Sequence, residues 1–129
     1  MAKTILVADD SPIILKALCP ILEAEQDYDL CAEATNGQEA IELALKHPPE
    51  LIILDFSMPV MNGMDAAREL RKLLPHVPII PFTQYADFGN AIPRKDLKVN
   101  RIVSKTNVAE PMNQVRSLLP CTRSEIPRL

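Results

Sequence analysis

The run Leu51-Ile52-Ile53-Leu54 stops on Asp55 and gives way to Phe56-Ser57-Met58-Pro59-Val60-Met61-Asn62-Gly63. Four consecutive aliphatic residues without alternation suit a strand buried on both faces, as in a parallel sheet covered by helices. The Ser, Pro, Asn and Gly that follow mark a turn. An acid therefore stands at the carboxyl end of a buried strand, the edge where open α/β sheets bind ligands. Asp55 is the first candidate for chemistry.

The same strand, turn and helix pattern recurs along the chain. Thr4–Ala8 is an apolar run ending at Asp9-Asp10, and Ser11-Pro12 then supplies a helix cap and a proline at the first helical position. Ile14, Leu15, Leu18, Ile21 and Leu22 follow at helical spacing, with Pro20 predicting a kink without a break. Leu30–Ala34 is a second strand. Asn36, three residues before Glu39, opens a helix expected to turn Ala40, Ile41, Ala44 and Leu45 inward, and His47-Pro48-Pro49 ends it. After the strand ending at Asp55 comes a helix from about Met64 to Leu74, with Ala66, Ala67, Leu70, Leu73 and Leu74 on its apolar face.

Pro78–Thr83 reads as a fourth strand. Pro81 cannot donate to a ladder, so either the strand bulges there or that nitrogen faces away from a partner. A helix over Ala86–Leu97 is the weakest element, because it contains Gly89 and Pro93. Arg101–Ser104 is the fifth strand, ending at Lys105, and the last helix begins near Asn107 and buries Met112, Val115 and Leu119. Five strand–helix units in succession predict one doubly wound α/β domain, (βα)5, with a parallel sheet between two layers of helices.

In such a sheet the carboxyl ends of the strands share one edge. Asp9, Asp10, Asp55, Thr83 and Lys105 therefore converge there. Crowded carboxylates repel one another, and a hard divalent cation such as Mg²⁺ (or Mn²⁺) relieves this through oxygen ligands. A hydroxyl and an ammonium beside the metal suit an anion, with phosphoryl the natural candidate. The 14 basic and 17 acidic residues give a formal charge of -3, which argues against direct nucleic-acid binding by this domain. Cys19, Cys31 and Cys121 form no C-x-x-C pair, so neither a disulfide framework nor a zinc site is expected, and the reducing cytoplasm is the expected compartment. No run has the length of a signal-peptide core or a membrane span, so no membrane partner is expected.

The paired acids after the first strand, the Asp ending the third with Met58-Pro59 and Gly63 after it, the Thr ending the fourth and the Lys ending the fifth form a specific signature. On these residues the chain resembles the receiver domains of two-component response regulators, from about Lys3 to Leu119. The resemblance implies a flavodoxin-like five-stranded sheet of order 2-1-3-4-5. It makes 1–120 the receiver domain and 121–129 a tail or the start of a linker. It implies that Asp55 is the phosphoacceptor and that Asp9, Asp10, Asp55 and the backbone carbonyl of Ser57 hold Mg²⁺. Thr83 and Lys105 then bind the phosphoryl oxygens. The implied partners are a sensor histidine kinase or phosphotransfer protein upstream, and a downstream protein target or fused output domain.

The family pattern is not matched everywhere. Gln84 and Tyr85 follow Thr83 where a small residue is usual, Ile102 stands where an aromatic couples to the switch, and Thr106 replaces the common proline after Lys105. These departures leave an alternative, a receiver-like interaction module with impaired or no phosphorylation-dependent switching. A phosphohydrolase with Asp55 as nucleophile is disfavoured, because Ser57 stands where its second acid belongs. His47 and His76, beside prolines at helix ends, read as surface caps. The three cysteines read as small apolar residues.

Overall fold

The computed structural model describes residues 3–55, 63–83, 103–104 and 110–118, with the backbone alone at 63, 64, 83, 103 and 104. Within them the chain runs β1 (Lys3–Ala8), α1 (Pro12–Glu23), β2 (Tyr28–Ala34), α2 (Gly37–Lys46), β3 (Leu51–Leu54), α3 (Gly63–Leu73), β4 (Ile79–Thr83), β5 (Val103–Ser104) and α4 (Glu110–Leu118). Every pairing is parallel, and the order is β2-β1-β3-β4-β5, as the resemblance implied. β3 lies at the centre, which explains why its four aliphatic residues are all buried.

Successive side chains of a strand point to opposite faces, and here they feed two separate cores. Leu6, Ile52, Leu54 and Ile79 pack beneath α2 and α3, where Ala40, Ala44, Ala66 and Ala67 let the helices approach closely. Ile5, Val7, Leu51, Ile53, Ile80 and Phe82 pack on the opposite face against Leu18 and Leu22 of α1 and Met112 and Val115 of α4. Each face has its own helical layer. The domain is doubly wound, as the alternation of strand and helix predicts.

α1 runs unbroken through Pro20 to Glu23, with Ser11 as its cap and Pro12 at its start. Pro20 is exposed, so the carbonyl freed by its missing N–H faces solvent rather than the core. β2 begins at Tyr28, two residues earlier than the apolar run, because Tyr28 is buried in the core under α1 and Lys3 donates to the Asp27 carbonyl at 2.9 Å. Two apolar expectations are corrected. Leu45 points outward, 55% exposed, since it lies about 100° round the helix from the buried Ala44. Leu73, 43% exposed, falls at the margin of the α3 stripe in its last turn.

Pro81 introduces no bulge into β4: its register with β3 passes through Leu54↔Pro81 without a shift. The one irregularity among the described pairings lies in β2, between the partners of Ile5 and Leu6, where Cys31 is skipped. Such a bulge on an outer strand discourages pairing with another chain. The expected helix over 86–97, Arg101, Ile102, Leu119 and the 121–129 tail lie outside the described residues.

Candidate functional site

The acids are placed by backbone ladders that run one step past the strands. The Asp9 N–H donates to the Ala34 carbonyl of β2, and the Asp55 N–H donates to the Ala8 carbonyl of β1, each at 2.9 Å. Asp9 and Asp55 thus leave neighbouring strands side by side. Both are buried, 1% exposed, whereas the next residue, Asp10, is exposed. Carboxylate oxygens of Asp9, Asp10 and Asp55 all lie within 4.8 Å of one another.

Ser11 has two roles here. Its N–H donates to Asp9 Oδ1 at 2.9 Å, fixing that carboxylate, and its Oγ accepts from the Ile14 N–H at 3.4 Å, capping α1. The positive end of the α1 dipole therefore lies beside the acids. The neighbouring turn is also locked: Asn36 Oδ1 accepts from the Glu39 N–H at 2.8 Å, and Glu39 Oε1 accepts from the N–H and hydroxyl of Thr35 at 2.6 and 3.0 Å. This is the capping arrangement expected from Asn36 and Glu39, with Glu39 reaching back to Thr35.

The donor set suits a hard divalent cation. Two buried carboxylates and one exposed carboxylate in contact range concentrate negative charge that a cation offsets, and all three offer oxygen. Oxygens about 2.1 Å from a Mg²⁺ lie at most about 4.2 Å apart. A spread of up to 4.8 Å therefore accommodates such an ion with small adjustments or one intervening water. The exposed Asp10 gives access from solvent.

β4 runs beside β3, and Thr83 ends it on the same edge as Asp55, with its backbone paired to Ser104 of β5. The Thr83 side chain, Ser57 and Lys105 lie outside the described residues. Of the residues picked from the sequence, the structure thus brings together Asp9, Asp10 and Asp55 and sets the end of β4 beside them.

Residues 5–115 match the model of the response regulator receiver domain. The chain belongs to that family. It is 40% identical over 83 residues to a protein-glutamate methylesterase/protein-glutamine glutaminase of Hahella chejuensis, covering 64% of this chain and 21% of that protein. A methylesterase/glutaminase of Methanococcoides burtonii is 32% identical over 121 residues, 92% of this chain and 34% of its own length. The chain thus spans 21% and 34% of the lengths of these two relatives. Among solved structures, the response regulator TrrA of Thermotoga maritima in complex with Mg²⁺-BeF superimposes with a TM-score of 0.80 at 33% identity, covering 91% of this chain and 99% of that one. Receiver domains are phosphoacceptors that bind Mg²⁺ in an acidic pocket, and phosphorylation-dependent switching in two-component signalling is the family function. They work with histidine kinases or phosphotransfer proteins and with output domains. Among the described residues of this receiver, no helix is long and apolar enough to cross a membrane.

One supporting residue has no sequence signature. Arg71 of α3 donates through Nη1 to the carbonyls of Leu74, Pro75 and Val77, at 3.4, 3.0 and 2.8 Å. It closes the turn that feeds β4, and partial burial lowers its pKa from the ordinary value. Arginine at a helix end is common, so only the fold reveals that three carbonyls converge on it. The role of Ser11 was more legible, because an acid two residues before a capping serine forms a local side-chain turn.

Proposed function

We propose that Asp55 accepts a phosphoryl group from the phosphohistidine of a sensor histidine kinase or phosphotransfer protein. In that step an Asp55 carboxylate oxygen bonds to phosphorus, the donor's P–N bond breaks, and the imidazole nitrogen keeps the electron pair. Asp9, Asp10, Asp55 and the Ser57 carbonyl hold Mg²⁺, which neutralises charge on the phosphoryl oxygens and on the attacking carboxylate. Ser11 keeps Asp9 oriented. Thr83 and Lys105 take the remaining phosphoryl oxygens, and the added charge changes the surface presented to a downstream protein or fused output domain. The setting is the cytoplasm.

One observation carries this reading: two buried carboxylates and an exposed one meet within 4.8 Å at the carboxyl edge of the sheet. The test is incubation of the protein with acetyl phosphate and Mg²⁺, read by intact mass. One phosphoryl adduct is expected, absent in Asp55→Asn and abolished by chelator. An adduct that survives in Asp55→Asn would move the site elsewhere. No adduct at all would leave the interaction module without switching.

A further inference from the structure

Pro81 occupies the interior of β4, a strand with neighbours on both sides, where proline forfeits a ladder hydrogen bond. The pairing decides which ladder is affected. The Ile52 N–H of β3 donates to the Pro78 carbonyl at 3.0 Å, so residue 78 faces β3. In a parallel strand the N–H and C=O of one residue turn to the same side, and the sides alternate along the chain. Residues 80 and 82 therefore also face β3, and 79, 81 and 83 face β5. The pairs Ile52↔Ile79, Ile53↔Ile80 and Leu54↔Pro81 agree, running past the proline without a shift. The missing N–H lies wholly on the β5 side, and the described β4–β5 pairs, Phe82↔Val103 and Thr83↔Ser104, come after it.

We propose that Pro81 makes the β4–β5 seam a weakened joint, so that β5 parts from β4 more readily than any other neighbouring strands part, and that phosphoryl loading at Asp55 closes it. The second half rests on the phosphoacceptor reading; the first does not. Thr83, the last residue of β4, faces the seam, and a ligand at the carboxyl edge that engages the ends of both strands bridges it. Such a ligand favours the paired state by its differential affinity for it. Opening need not unseat the last helix, because Met112 and Val115 of α4 pack in one cluster with Ile80 and Phe82 of β4 itself. The opposite outer seam provides the internal control for the proline: β1 and β2 pair from Lys3↔Tyr28 to Ala8↔Ala34 with no proline in either strand, and their bulge, between the partners of Ile5 and Leu6, precedes the Asp9 end.

Amide hydrogen exchange on the full chain, resolved by residue with NMR, tests this. Local opening sets the exchange of protected amides, and the loss of one rung corresponds to about tenfold. In the unmodified protein the Thr83 amide should exchange about tenfold faster than the Asp9 amide, which sits at the matching end of the other outer seam on the Ala34 carbonyl. Pro81→Ala, which restores the N–H, should bring Thr83 to within about threefold of Asp9. Pro81→Val serves if the alanine variant folds poorly. Acetyl phosphate with Mg²⁺ should slow Thr83 and leave Ile52 unchanged. Equal rates at Thr83 and Asp9 in the unmodified wild type overturn the joint, whatever phosphorylation does. A difference that persists in both Pro81 variants overturns the role of the proline. A wild-type difference with no mass adduct upholds the joint and overturns its use by phosphorylation.

Discussion

The two sides of the sheet's carboxyl edge are built differently. On the β1–β3 side, ladder bonds continue past the strands into Asp9 and Asp55, and Ser11, Asn36 and Glu39 lock the adjoining turns. On the β4–β5 side, Arg71 fixes the start of β4, the β3 register holds its length, and Pro81 removes the rung towards β5. A carboxylate cluster suited to a cation needs a fixed geometry, since a misplaced ligand forfeits charge stabilisation. Under the proposed switch, the end of β4 needs two arrangements of similar free energy. One sheet supplies both by placing its rigid and its loosened seams on opposite sides of β3.

The largest effect should come from removing the anchor of β4. Arg71→Ala strips the charged donor from three carbonyls at the α3–β4 turn and should lower unfolding stability by about 1.5–3 kcal/mol, measured by urea titration. Arg71→Lys should recover only part of this, because a point-like ammonium does not reproduce a planar fork. A loss below about 0.5 kcal/mol would mean that β4 is held by its neighbours alone and that the two sides differ less than described.

The origin of this contrast also decides how much of it the sequence discloses. Contiguous patterns were legible: aliphatic runs ending on Asp9, Asp55 and Thr83, and caps at Ser11 and Asn36, depend on residues a few positions apart. Arg71 was not, because its partners become neighbours only when the turn through Pro75 closes. Apolar character predicts Leu45 inward, while the position of Ala44 at the α2–α3 contact sets the angle that turns Leu45 out. The sequence shows that Pro81 cannot donate to a ladder, yet the seam it weakens follows from which carbonyl Ile52 takes, a matter of register between strands. Local chemistry reads from the chain; parity and convergence require the fold.

A pH measurement probes the rigid side. Cys19 of α1 is buried, and burial, followed by the charges of Glu33 on β2 and Glu23, pushes its thiol from 9.0 up to about 12. Below pH 9 the thiol is protonated whether the chain is folded or not, so stability does not depend on it. Between pH 9 and about 12 the unfolded chain releases a proton that the native state keeps, so stability falls as pH rises. The slope is at most about 1.4 kcal/mol per pH unit. Denaturant titrations at pH 8 and pH 10 should therefore show a steeper alkaline loss in wild type than in Cys19→Ala. Equal losses would show that α1 opens easily over β2, and the rigid side would no longer be rigid.

The smallest effect concerns the attachment of α4. Arg116 meets Glu25, in the connection after α1, at 2.9 Å, with the side chains 49% and 33% exposed. At that exposure solvent and salt screen the pair, and Arg116→Ala should cost only about 0–1 kcal/mol, less in high salt. The helix is then held by Met112 and Val115 in the core it shares with Ile80 and Phe82. This bears on the joint at Pro81, since β5 can part from β4 without carrying the helix away only if α4 is anchored to β4 directly. A salt-sensitive loss of about 2 kcal/mol or more in Arg116→Ala would transfer the anchorage to the ion pair and to α1. The loosened side would then begin at the last helix rather than at the seam.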